Sequence, residues 1–196
     1  SFDRTVRVWD KRTRSSPVEV LDAAGESVES VDVKLPCISL ASADGFVYTF
    51  DIRKDEMHID AVGYADISKS SKSYDAMMRV RCGQDGAYYA ASSIRGQVKL
   101  VDLTDGSTLQ SFQIDHQNEG NYRTMAMSFD KNEDLVMVGG ADGKVYSFDT
   151  VSGDKSVICD MKSPVLAMDY NKKRNLLAIG CLNGETAVKQ CSVGQL

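Results

Sequence analysis

The chain has 196 residues, 42% hydrophobic and 26% charged, with a formal net charge of −5 at pH 7. That is the composition of a globular domain with a real core, and no apolar run approaches the roughly 20 residues a membrane-crossing helix needs. The acidic balance disfavours bulk attraction to nucleic acid or an anionic membrane; Arg4, Arg7, Lys11, Arg12 and Arg14 form a local basic cluster, read as solvated strand-edge side chains.

In chain order, the first element is the alternating stretch FDRTVRVWD, a leading strand over residues 5–10 that ends on Trp9-Asp10. PVEVLD, VESVDVK and CISLAS follow as short strands, then a turn at Asp44-Gly45 and a strand closing on Asp51. The order then recurs. MHIDAVGY, DAMMRVRC and YYAASS lead to Ile94-Arg95-Gly96 and a strand ending on Asp102; TLQSFQI, YRTMAMSF and LVMVGG lead to Asp142-Gly143 and Asp149; KSVICDM, VLAMDYN and LLAIGC lead to Asn183-Gly184 and Gln190. The turn glycines Gly45, Gly96, Gly143 and Gly184 are spaced by 51, 47 and 41 residues.

Asp-Gly and Asn-Gly accept positive φ cheaply, so each pair predicts a two-residue hairpin turn. After the turn, Val47, Thr49 and Asp51 fall on one strand face and Phe46, Tyr48 and Phe50 on the other. The strands before the turns are apolar at consecutive positions, as suits cover on both faces. Four short strands in about 41 residues, with no amphipathic helix, predict an all-β fold, a β-propeller of four-stranded antiparallel blades. The repeats run over residues 11–51, 52–102, 103–149 and 150–191, after the leading strand.

Asp3-x-Thr5 ahead of Trp9-Asp10, echoed by Phe50-Asp51 and Phe148-Asp149, resembles the WD-repeat family. The resemblance implies a seven-bladed ring closed by an N-terminal strand. Such a ring needs about 300 residues, so the chain is expected to be a partial ring of about four blades plus one strand. Missing N-terminal blades or a second chain would close it. A complete four- or five-bladed ring is the alternative. Within the family, SFDRTVRVWDKRTRSSPVEVLDAAGESVESVDV, SADGFVYTFDIR and IDHQNEGNYRTMAMSF resemble the mitogen-activated protein kinase organiser subfamily. The family's stabilising set joins Trp, Ser/Thr, His and Asp; here only Trp9 and His116 occupy their places, in different blades, so stability is expected to rest on apolar packing and sheet pairing. Asp3, Asp10, Asp44, Asp51, Asp102, Asp142, Asp149 and Asn183 are read with the turn glycines as structural repeat positions, and Trp9 as core.

No cofactor, metal or catalytic centre is expected. GGADGKV places three residues between Gly139 and Gly143 and Val145 after Lys144, which is not a phosphate-binding loop. Asp130, Asn132 and Asp134 begin like a calcium loop but continue with Leu135 and Ala141 where Gly and Glu are required. His58 and His116 are too few for a three-histidine zinc site. The five cysteines show no CxxC spacing, which suits buried thiols and an intracellular, cytoplasmic or also nuclear, location.

What remains is surface. The loops before each first strand and the turns between second and third strands share one rim, where Phe2, Arg4, Tyr74, Ile94, Arg95, Asn118, Tyr122, Arg123 and Leu182 are the candidate protein-contact residues. Ser68–Ser73 reads as a hydroxyl-rich loop open to phosphorylation. The resemblance implies a non-enzymatic scaffold whose partners are kinase-cascade proteins. The alternative is a protein-binding component of a splicing assembly, and an enzyme subunit is the third reading.

Overall fold

A computed structural model describes residues 1–12, 16–22, 24–53, 57–58, 75–114 and 126–191. Among these, seventeen strands form five antiparallel sheets. The first sheet pairs β1 (Thr5–Val8) with β2 (Glu19–Asp22). The second holds β3 (Val28–Lys34), β4 (Cys37–Ser42), β5 (Val47–Asp51) and β6 (Met57–His58) in that order. The third runs β7 (Met77–Cys82), β8 (Tyr88–Ser93), β9 (Gln97–Asp102) and β10 (Thr108–Gln113). The fourth runs β11 (Ala126–Phe129), β12 (Leu135–Gly139), β13 (Lys144–Asp149) and β14 (Lys155–Asp160). The fifth has β15 (Val165–Asn171), β16 (Leu176–Cys181) and β17 (Thr186–Gln190).

Each sheet is a meander, and the outermost strand lies beyond the Asp that ends the third. The sheets therefore fall one strand out of step with the sequence repeats. Together they make an open arc of propeller blades, with no closed ring among the described residues.

The strand period of two divides each blade's side chains between its two neighbours. On β12 and β13, Val136, Val138, Tyr146 and Phe148 point to the third sheet, where they meet Val98, Leu100 and Phe112. Phe112 and Phe148 stack with ring centroids 5.0 Å apart. Met137 and Val145 point the other way, against Val165, Met168, Leu177 and Ile179 of the fifth sheet. Ala41 and Val47 meet Met77, Val80, Tyr89 and Val101 between the second and third sheets, while Val6, Val8 and Leu21 cover Leu40, Tyr48 and Phe50. The core is thus a row of four separate clusters, one per junction. Each fully buried large side chain in them contributes about 1.5–3 kcal/mol.

The arc's end faces depart from expectation. LLAIGC has the pattern of a strand covered on both faces, yet on β16 only Leu177, Ile179 and Cys181 are buried, while Ala178 is exposed, because no sheet lies against its second face among the described residues. For the same reason Trp9, expected in the core, lies just past β1 and is 56% exposed. On β3, Val33 is 53% exposed although its repeat equivalent Phe129 is 5% exposed, since the cluster that β1 and β2 form over β4 and β5 does not extend to it.

Candidate protein-interaction rim

Four successive second-to-third strand connections, and the like-shaped turn Ser1–Arg4 ahead of β1, lie on one rim. In each, the fourth residue's N–H closes on the first residue's carbonyl: Arg4 on Ser1 (3.3 Å), Gly45 on Ser42 (3.2 Å), Gly96 on Ser93 (3.2 Å), Gly143 on Gly140 (3.2 Å) and Gly184 on Cys181 (3.1 Å). The glycines have φ of 92°, 80°, 84° and 85°, and Arg4, in the matching place, has φ 64°. Only this fourth residue is left-handed. The expected two-residue turn, which needs positive φ at both residues, is therefore a three-residue connection, Ala43–Gly45 in the second sheet, with glycine as the bulge residue.

The turn Asp is the organiser. One oxygen accepts the N–H two residues on: Asp3 from Thr5 (3.1 Å), Asp44 from Phe46 (3.0 Å) and Asp142 from Lys144 (3.1 Å), with Asn183 playing the same part for Glu185 (3.1 Å). The other oxygen takes a donor four residues along: Arg7 (2.7 Å), the Tyr48 hydroxyl (2.7 Å) or the Tyr146 hydroxyl (2.5 Å). Asp44 also accepts the Gly25 N–H at 2.7 Å, tying the loop before β3 to the turn.

This Tyr–Asp pair lies two residues ahead of Phe50 and Phe148, which hold the Trp place of the family's set, and it adds part-buried polar bonds to the apolar packing expected to hold the blades. Its signal is the repeated D-G-x-V-Y. The Tyr48 phenol is pushed up to about 12, first by burial and then by the Asp44 hydrogen bond and charge. Asp3 is lowered to about 2, chiefly by the Ser1 hydroxyl and then by Thr5. In the third sheet the charge is inverted: Arg95 sits at the Asp position and pairs with Asp75 at 3.0 Å.

Phe2, Ile94 and Leu182 share the second place of these rigid turns. Phe2 is 93% and Leu182 65% exposed, while Ile94 is half-buried. Arg4 is exposed beside Phe2. The turns thus bring Phe2, Arg4, Ile94, Arg95 and Leu182 to one rim. Tyr74, Asn118, Tyr122, Arg123, His116 and the Ser68–Ser73 loop lie outside the described residues.

The strand-ending aspartates serve the opposite rim. Asp10, Asp51, Asp102 and Asp149 each accept the N–H two residues on, from Arg12 (2.9 Å), Arg53 (2.9 Å), Thr104 (2.6 Å) and Val151 (2.9 Å). These are Asx turns that open the hairpin to the outer strand. Arg12 and Arg53 also fork onto Asp10 and Asp51, and Arg7 bonds Asp3, so Arg7 and Arg12 of the basic cluster are paired. Asp130 and Asp134 likewise turn inward, to the Leu135 N–H (3.0 Å) and the Asn132 amide (3.3 Å), as in a plain hairpin. The described cysteines are free thiols, and burial raises Cys82 to about 11. Among the described residues, no group of three or more His, Cys, Asp or Glu is placed to hold a metal ion, and no helix is long and apolar enough to cross a membrane.

No protein-family model matches the chain. The chain is 36% identical over 135 residues to an uncharacterized WD repeat-containing protein of Schizosaccharomyces pombe, covering 68% of this chain and 40% of that one. The solved WD40 β-propeller domain of Doa1 superposes with a TM-score of 0.75 at 19% identity, over 96% of this chain and 58% of that one. Fold and repeats together define the class, a WD-repeat chain with the WD40 β-propeller fold, present as an open arc.

Two named relatives are more distant. The chain is 24% identical over 192 residues to the COMPASS component SWD3 of Saccharomyces cerevisiae, covering 92% of this chain and 58% of that one. It is 26% identical over 192 residues to the mitotic checkpoint protein BUB3.1 of Arabidopsis thaliana, covering 91% and 54%. The chain spans about half the length of the curated relatives it matches.

Proposed function

We propose that this chain is part of a non-enzymatic scaffold that binds other proteins through the rim carrying Phe2, Arg4, Ile94, Arg95 and Leu182, with Tyr74, Asn118, Tyr122 and Arg123 as further contacts. The observation that carries this reading is the exposure of Phe2 and Leu182 on turns pinned by hydrogen-bonded Asp3 and Asn183. A large apolar side chain carried on a backbone already fixed costs only its own rotamer freedom when a partner covers it. The relative named as a COMPASS component supports the same reading at the level of multiprotein assembly.

The assembly we favour is a kinase-signalling complex, on the organiser resemblance, in the cytoplasm or nucleus. A splicing assembly is the second reading on the same resemblance. Cross-linking mass spectrometry on the full-length protein purified with its native partners decides between them. Kinase-cascade proteins linked near the rim, and released by Phe2→Ala with Leu182→Ala, are expected. Splicing proteins without kinases would overturn the signalling assignment, and undiminished capture by the double variant would overturn the rim.

A further inference from the structure

Repeat equivalence surrounds one cavity with four inner-strand residues. Asp32, Arg81, Ser128 and Asp169 sit at the same place in four sheets, opposite Ser39, Ala90, Met137 and Ala178. They line a cavity of about 340 Å³, with Glu133 and Lys172 beside them. Those two belong to the first-to-second strand turns, so the cavity lies toward the rim opposite Phe2 and Leu182.

Most of its charges are already engaged. Glu133 accepts Lys172 Nζ at 3.2 Å, the Gln84 N–H at 2.9 Å and the Tyr88 hydroxyl at 2.5 Å. Asp32 accepts the Cys82 N–H at 2.8 Å. Two groups remain. The Arg81 guanidinium donates only to its neighbour's carbonyl, Val80 O, at 3.2 Å, and the Asp169 carboxylate makes no hydrogen bond or ion pair among the described residues. A cation and an anion line the same cavity without meeting.

We propose that this cavity recognises a mixed-charge peptide segment, an acidic side chain on Arg81 and a neighbouring basic one on Asp169. The lining decides the class. A lone anion would meet Asp32 and Asp169 as well as Arg81, and a lone cation would meet Arg81 and Lys172. Only a ligand carrying both signs turns every contact favourable. The guanidinium fork matches a carboxylate in two parallel hydrogen bonds, and the volume suits one or two side chains.

The test titrates the 15N-labelled chain with the capped peptide acetyl-Gly-Glu-Lys-Gly-amide, and with controls in which Gln replaces Glu or Lys. Amide shifts around Cys82, Ser128 and Asp169 are expected, with each control binding about five-fold more weakly. Arg81→Met should erase the preference for Glu over Gln and keep that for Lys; Asp169→Asn should do the reverse. Asp169→Asn breaks no described hydrogen bond, so the fold is retained. Equal binding of the controls, shifts absent at millimolar peptide, or preferences unmoved by both variants would overturn the proposal. Phe2→Ala leaves this binding unchanged, which separates it from the rim.

Discussion

Arg4 holds with φ 64° a place that glycine fills in the four sibling turns. An L-residue there costs about 1–2 kcal/mol, so Arg4→Gly should raise stability by about 1 kcal/mol, read as a higher urea midpoint. Gly143→Ala and Gly184→Ala share the same backbone cost in reverse. At Gly143 the added Cβ would also stand 2.8 Å from Ser163 N and 3.0 Å from Ser163 O, whereas at Gly184 nothing lies within 4 Å. Gly143→Ala should therefore lose at least about 1 kcal/mol more in the same assay. The positions of these glycines were legible because residue chemistry alone restricts the φ they adopt. The length of the turn was not, since an Asp-Gly pair serves a two-residue turn and a three-residue one equally well.

At the scale of the element, the Tyr48–Asp44 bond links the strand to its own turn and, through Gly25, to the loop before it. A phenol whose affinity for its proton is raised by folding stabilises fully below its ordinary value near 10. That contribution fades as pH climbs toward about 12. The stability gap between the native chain and Tyr48→Phe should thus be flat up to pH 10 and shrink above it, as read from denaturation across that range.

Glu133 joins three sheets, through Gln84 and Tyr88 on one side and Lys172 on the other. Glu133→Ala should cost about 1–3 kcal/mol, chiefly by taking the acceptor from the Tyr88 hydroxyl and the Gln84 N–H, since the part-exposed Lys172 ammonium can turn to water. It should also let Tyr88, raised by burial and then by Glu133, ionise at lower pH in an ultraviolet titration. Neither link could be read from periodicity. In the sequence Tyr48 is one more alternating aromatic, and nothing there singles out Gln84, Glu133 or Lys172, because their meeting depends on how neighbouring sheets pack.

For the whole molecule, the repeat made the architecture legible: strand order and the alternation of faces follow from period two inside a longer period, whereas where one blade ends and the next begins does not, since a repeat can be cut at any strand. Coverage of each face was not legible. LLAIGC and CISLAS look alike, yet β16 has a bare face and β4 does not, because burial depends on the neighbour and not on the strand. The mixed-charge cavity escaped for a related reason, since Asp32, Arg81, Ser128 and Asp169 share a repeat position but no residue type.

The segmentation of the core into four junctions has a last consequence. With each cluster bridging only adjacent sheets, the arc behaves as a one-dimensional cooperative chain, and opening propagates inward from its termini link by link. Amide exchange should accordingly be slowest in β8, β9, β12 and β13, which are clasped from both sides, and fastest in β1, β2 and β17. Uniform protection along the arc would show a single all-or-none unit instead. In a linear array of this kind, the free energy of any contact at one terminus reaches a given blade only through the junctions between them. Ligand at one end would then be sensed at the other as a graded, distance-damped change in fraying.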